Sequence, residues 1–364
     1  MIDKLVKKEE AVNAVEVTES TLEAMRNDPN PIMLWGCGEL AEWVVAFLKK
    51  SNVSLKGVFV DVNVLNKEFH GMKVNSLDEL CVNYPSFSVI VGHLDGYANQ
   101  AALENIRNVE NIYSLYQRIL NRHEIIDYDF IEENREAFLQ TYNWLTDELS
   151  QKSYILWLNS LVTKSFHDLV PYVYEDMYFA EDIIKLSEGE VLVDGGAYTG
   201  DTIRDFVNRL SLASISNYKV YAFEPDKGNY AQLCAYAENL PSIKTINKGL
   251  WDKEATLHFN AKESVLSSIS EHGDSIVLVD TIDNICAGEK VTFIKLDIEG
   301  AEMKALKGAE QTIKKHKPKL AICAYHLAAD LITIPQYLKQ LVPDYQLYFR
   351  LYQCGHSDAI IYAI

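Results

Sequence analysis

The chain has 364 residues, 48% of them hydrophobic, which is enough for two domains with separate cores and too much for one of average size. Against 52 aspartates and glutamates stand 34 lysines and arginines, a net charge of −18 that disfavours nucleic acid and anionic lipid as partners. No apolar run reaches the roughly 18 residues of a membrane helix, and the mixed charges of MIDKLVKKEEAV do not make a signal peptide, so a cytoplasmic protein is expected.

A charged N-terminal helix is followed by PIMLWGCGELAEWVVAFLKK, which reads as a short strand, a tight GCG turn and a helix with Leu40, Trp43, Val44 and Phe47 on one face. A second strand runs from Leu55 to Val60 and closes on Asp61. A third, from Ser88 to Val91, ends in the Gly92-His93 turn, and before it SLDEL starts a helix with Ser76 as its cap. The expected first domain is therefore a small α/β unit within residues 1–115. Residues 116–178 carry long aromatic-rich helical patterns almost free of Gly and Pro, which predicts a packed helical connector rather than a floppy linker.

Residues 179–364 form the expected second α/β domain. Strands and helices alternate, with strands expected near 190–194, 219–223, 243–247, 291–297 and 319–324. The ending differs, because Tyr345 to Tyr352 and Asp358 to Ala363 are separated only by a short CGHS loop. Parallel neighbours need a crossover of a dozen or more residues, so this pair must be an antiparallel hairpin. The six cysteines, Cys37, Cys81, Cys234, Cys286, Cys323 and Cys354, contain no CxxC pair and predict neither a zinc site nor a disulfide framework.

Three stretches carry candidate chemistry. In VLVDGGAYTGDT, Asp194 ends a strand, Gly195 and Gly196 remove side chains, and Gly200 lets the next helix pack closely. The glycines are out of register with GxGxxG, and an acid at the mouth of the turn suits a sulfonium and an amino-acid end better than a pyrophosphate. In AFEPD, Glu224 ends the next strand, where a carboxylate can accept hydrogen bonds from two ribose hydroxyls. In FIKLDIEGAEMKAL, a strand delivers Asp297 and Glu299 to its carboxyl end, the side of an open α/β sheet on which ligands bind. Met303, Leu306 and Ile313 mark the buried stripe of the helix that follows, which places Glu302 nearer its polar edge in a structural role.

Together VDGGAYTGDT, FEPD, VDTIDNI, FIKLDIEGAE with KGA after it, and the ending YQLYFRLYQCGHSDAIIYA resemble the FkbM family of S-adenosylmethionine-dependent methyltransferases over about residues 175–364. The resemblance implies a seven-stranded Rossmann sheet with the last strand antiparallel, S-adenosylmethionine as cofactor, and O-methylation of a small-molecule or sugar-containing acceptor. Asp194, Gly195, Gly196, Tyr198 and Gly200 then fall in the cofactor turn, Glu224 on the ribose, and Asp297, Glu299 and Gly300 on the family's DxEG element. Tyr198 departs from the small polar residue of many members. Some FkbM-like proteins also carry an N-terminal Rossmann-like unit, which IMLWGCGELAEWVV followed by FVDVN resembles.

An alcohol acceptor must lose its proton, and AYHLAAD puts His326 just past the fifth strand with Asp330 four residues on to orient it, so His326 is the expected base. Asp297 is the other candidate, and Asp297 with Glu299 and His326 holding a divalent metal is the less favoured alternative, so no metal is assigned. Glu299 and Arg350 are expected to touch the acceptor, with His356 beside them. In the N-terminal turn, Gly36 and Gly38 with Ala41 in the third position fit either a nucleotide site or a turn kept for packing. Two rival functions follow: an NAD(P)-dependent oxidoreductase using that turn, and a non-catalytic binding protein for a nucleotide or nucleotide sugar.

Overall fold

A computed structural model describes residues 5, 11, 14–60, 67–93, 102–115, 126–163, 167–259, 275–353 and 358–364; Asp61, Cys354 and His356 lie outside them. The chain divides into two compact units, one comprising residues 1–134, 155–173 and 353–357, the other 135–154, 174–352 and 358–364. The segment 116–178 is thus shared between the units. No described helix is long and apolar enough to cross a membrane.

The first unit runs α1 (Ala14–Asn27), β1 (Ile32–Trp35), α2 (Glu39–Lys50), β2 (Gly57–Val60), β3 (Glu68–Phe69), β4 (Met72–Ser76), α3 (Leu77–Asn83), β5 (Phe87–Val91) and β6 (Val109–Tyr113). The strands form one sheet in the order β3-β4-β2-β1-β5-β6. Strand β1 is buried at every position, as a central parallel strand covered on both faces must be. Leu40 and Val44 of α2 are buried, with Trp43 and Phe47 packed against the same core. Ser76 caps α3 in a reciprocal box: Glu79 N donates to Ser76 Oγ at 3.2 Å and Ser76 N donates to Glu79 Oε2 at 2.9 Å.

The GCG turn is shaped by its neighbour. Gly36 has φ +118°, and a Cβ there would lie 2.6 Å from Gly92 O, so this glycine is required where two turns meet at the carboxyl ends of β1 and β5.

In the second unit the helix Arg135–Trp144 precedes β7 (Glu190–Gly195), β8 (Tyr218–Phe223), β9 (Ile243–Ile246), β13 (Phe293–Leu296), β14 (Lys319–Cys323), β15 (Leu347–Leu351) and β16 (Ala359–Ala363). These seven strands form one sheet in the order β15-β16-β14-β13-β7-β8-β9. Only β16 is reversed, antiparallel to both β14 and β15. The seven-stranded sheet with its reversed last strand therefore stands as the sequence predicts. A further small sheet, absent from the sequence reading, has the order β10-β12-β11 and uses β10 (Gly249–Leu250), β11 (Ala255–Phe259) and β12 (Ser275–Asp280).

Arg350 on β15 requires a correction. It is 1% exposed, its Nη2 lies 2.7 Å from Asp147 Oδ2 and 2.6 Å from Asp182 Oδ2, and its Nη1 donates to Ser150 Oγ at 2.6 Å. Both faces of β15 are covered here, since Phe349 and Leu351 are buried as well, and a guanidinium in such a place is held only by partners of this kind. It pins Asp147 and Ser150 to the terminal hairpin and takes no part in the cavity described below.

Candidate functional site

Strand order reverses at β7, because β8 lies on one side of it and β13 on the other. At the carboxyl ends of these strands a crevice must open, since the connections leave in opposite directions. A cavity of about 570 Å³ occupies this place, lined by Gly196, Tyr198, Glu224, Lys295, Asp297 and Glu299, with Leu250, Trp251, Val279 and Ile298 in its apolar wall.

The turn after β7 is held from two sides. Gly196 N and Ala197 N both donate to Phe223 O, at 3.1 and 2.9 Å. Gly196 has φ +76°, and a Cβ on it would come within 1.9 Å of Asp297 O, so only glycine allows the two loops to touch. Gly195 is equally confined, its Cβ position lying 2.8 Å from Leu250 Cδ1 and Leu296 Cδ2. Gly200 caps the helix Asp201–Leu212 in the left-handed conformation, with φ 89°. Tyr198 also has a positive φ, 47°, and its side chain is exposed at the cavity.

Glu224 is nearly buried, yet it faces this cavity. Its Oε2 accepts from Tyr198 N at 2.9 Å and its Oε1 from Asp226 N at 2.8 Å. Burial pushes its carboxyl above the usual range, with the Asp226 and Tyr198 amides pulling the other way. Each oxygen keeps a lone pair for an incoming hydroxyl.

Asp194 needs a second correction. It is fully buried and does not line the cavity; its Oδ1 lies 3.0 Å from Nζ of Lys295, itself 2% exposed. Lys295 also donates to Gly196 O at 2.8 Å and stands 4.9 Å over the Tyr178 ring. Burial pulls the lysine down, but Asp194 and Asp297 outweigh it and hold the ammonium above the usual lysine value. Lys295 is not among the residues expected from sequence; a lysine inside the otherwise apolar run FIKL was its only sequence signal, and pairing with Asp194 across β7 and β13 gives it its place.

Asp297 is the centre of the acceptor side. Tyr178 OH donates to its Oδ2 at 2.6 Å and Tyr325 OH to its Oδ1 at 3.2 Å. Burial would raise its carboxyl, but Lys295, His326 and the Tyr178 hydroxyl hold it below the usual range. Tyr178 had no sequence signal, because it reaches Asp297 from 119 positions away, whereas Tyr325 stands beside His326 in AYHLAAD.

His326 lies where the sequence places it and is set up differently. Its Nε2 is 3.5 Å from Asp297 Oδ1 and 3.8 Å from Glu299 Oε2, while its Nδ1 is 3.0 Å from Glu302 Oε1. Glu302, not Asp330, orients the ring; Asp330 Oδ2 instead accepts from Leu327 N at 3.0 Å. Glu302 is fully buried and its Oε1 accepts from Ile298 N at 2.8 Å, so it does not lie on a polar edge. Burial pulls the imidazole down, but Glu302, Asp297 and Glu299 push it up to about 10. The acids around it favour the protonated ring, which argues against His326 as the base.

A reversed terminal strand, a glycine turn against the neighbouring loop and acids at the ends of β7, β8 and β13 frame this site. Residues 194–346 match the family model for the methyltransferase FkbM domain. The fold as a whole is similar to that of a methyltransferase FkbM from Methylobacillus flagellatus KT, with 22% identity, a TM-score of 0.68 and coverage of 100% of this chain and 97% of that one. Weaker likenesses include Aeropyrum pernix fibrillarin with natively bound S-adenosyl-L-methionine, at 12% identity and TM-score 0.32 over 50% of this chain and 70% of that one. Another is a SAM-dependent methyltransferase from Aquifex aeolicus, at 14% identity and TM-score 0.28 over 49% of this chain and 84% of that one. No curated protein matches the chain.

Proposed function

We propose that this protein transfers a methyl group from S-adenosylmethionine to a hydroxyl of a small-molecule or sugar-containing acceptor. The observation that carries the reading is Glu224: a nearly buried carboxylate, fixed by two backbone N–H groups, facing a cavity bordered by a glycine that tolerates no side chain. A vicinal diol on a ribose fits that carboxylate, and the apolar wall of Leu250, Trp251, Val279 and Ile298 suits a flat heteroaromatic base. Gly195, Gly196 and Gly200 would shape the cradle. Asp194 would act through Lys295 rather than by touching the cofactor.

When bound, S-adenosylmethionine supplies an electrophilic methyl group on a sulfonium. The chain's own tasks are alignment and charge. Asp297, fixed by two phenols, is placed to hydrogen-bond the acceptor hydroxyl, and Glu299, largely exposed at the mouth, to meet the rest of the acceptor. A carboxylate held low is a weak base, so the hydroxyl proton passes to Asp297 as the oxygen is alkylated and not before it.

Calorimetry of the full chain with S-adenosylmethionine tests the cofactor, with binding at one site per chain expected. Mass spectrometry of acceptor mixtures incubated with the methyl-labelled cofactor tests the reaction. Absence of binding would remove the reading, and label appearing on nitrogen or carbon instead would correct the acceptor atom.

A further inference from the structure

The His326 ring is mounted between acids on both sides. Behind it, Nδ1 meets the fully buried Glu302; in front, Nε2 faces Asp297 and Glu299, both of which line the cavity. Donor atoms of Asp297, Glu302 and His326 all lie within 4.8 Å of one another. Three carboxylates thus surround one imidazole, and acid outnumbers base even when the ring is protonated. Glu302 Oε2, on a side chain with no exposure, accepts no hydrogen bond among the described residues. Lys295, shared with Asp194, supplies one further cation, so Asp194, Asp297, Glu299 and Glu302 still outnumber the positive charges beside them.

Metal-binding histidines are held in this manner, one nitrogen donating to a carboxylate and the other turned to the ion. Oxygen ligands with a single imidazole and no sulfur favour the harder divalent ions. We propose that His326 Nε2, Asp297 Oδ1 and Glu299 bind a divalent cation of the Mg²⁺/Mn²⁺ class, the ring releasing its Nε2 proton to solvent as the ion enters and keeping the Nδ1 proton on Glu302, the positioning carboxylate behind it. The 3.5 Å from Nε2 to Oδ1 is a few tenths wider than the ~3.1 Å between adjacent ligands about 2.2 Å from one ion. Glu299, mostly exposed, has room to close from the mouth. Because Asp297 and Glu299 line the cavity, an acceptor oxygen held there would reach the ion and lose its proton more readily, so less is asked of Asp297 as a base. That catalytic role rests on the methyl-transfer reading; the ion site does not.

The test uses the full chain stripped with a chelator, dialysed and titrated with Mn²⁺, the free ion being followed by electron paramagnetic resonance. One Mn²⁺ per chain, displaced by Mg²⁺, is expected. Glu299→Gln should weaken the site about tenfold or more, and His326→Gln should abolish stoichiometric binding, with circular dichroism confirming that each variant is folded. Should His326→Gln fail to fold, Glu299→Gln decides by itself. No stoichiometric binding by the folded wild type overturns the proposal, as does binding unchanged in the folded variants. Calorimetry with S-adenosylmethionine on the same samples separates the two claims. Cofactor binding without a Mn²⁺ site sinks the ion alone, whereas a Mn²⁺ site without cofactor binding leaves the ion and removes the methyl-transfer reading.

Discussion

Glu224 and His326 are both buried ionisable groups, and their surroundings give them opposite tasks. Glu224 accepts two amide hydrogen bonds and keeps lone pairs toward the cavity. Its loss should cost two charge-assisted hydrogen bonds, about 3 kcal/mol or roughly 100-fold in S-adenosylmethionine affinity. Calorimetry of Glu224→Ala checks this, and an unchanged affinity would take Glu224 out of the site. His326 is raised from 6.5 to about 10 in the folded state. A raised folded value means that the stabilisation is fully present below the unfolded value and is lost as pH climbs through the folded one. Metal-free wild type should therefore lose stability between about pH 6.5 and pH 10, and His326→Gln should show a flatter profile in urea unfolding. Parallel profiles would contradict the ion pairing described for the ring.

At the scale of elements, the sheet centre is set by pairs that span strands. Asp194 on β7 and Lys295 on β13 are each other's counter-charge in a region without solvent. Asp194→Ala leaves a buried ammonium uncompensated and should destabilise the second unit by about 3–5 kcal/mol, whereas Asp194→Leu with Lys295→Met should recover much of the loss. A single variant within about 0.5 kcal/mol of wild type in urea unfolding would contradict the pairing. The loops are as constrained as the strands. Gly196→Ala would drive a Cβ to 1.9 Å from Asp297 O and should displace Asp297, lowering both stability and cofactor affinity. Gly38→Ala meets nothing within 4 Å and should be near neutral when both variants are compared by urea unfolding.

For the whole molecule, the two Rossmann-like units pose the question of which one holds a ligand. Each unit's turn presses a glycine against backbone, Gly36 on Gly92 O and Gly196 on Asp297 O, so crowding at the glycine does not tell them apart. The second unit's turn borders an open cavity of about 570 Å³. S-adenosylmethionine at a hundred times its dissociation constant should raise stability by about 2.7 kcal/mol, and NADH should leave the melting profile unchanged. The reverse result, a shift with NADH alone, would favour the oxidoreductase reading.

Legibility in the sequence followed how local each signal was. The strands of the large sheet, the Ser76 cap and the reversed β16 could be read because each depends on neighbouring residues: alternation, a side chain three positions from its amide, a loop too short to cross over. Strands β3, β4, β6, β10 and β11 are short or of mixed polarity, and only pairing makes them strands, whereas β12, SIVLVD, carries an apolar strand pattern that was legible and went unused. Within the site, Gly196, Glu224, Asp297 and His326 were legible as residue types at strand ends. Their electrostatics were not. Sequence by itself determined which groups reach the carboxyl edge of the sheet. Tertiary structure alone decided that Asp194 turns to Lys295, that Arg350 is consumed by Asp147 and Asp182, and that Glu302 holds His326 protonated, because burial and charge belong to neighbours far apart along the chain.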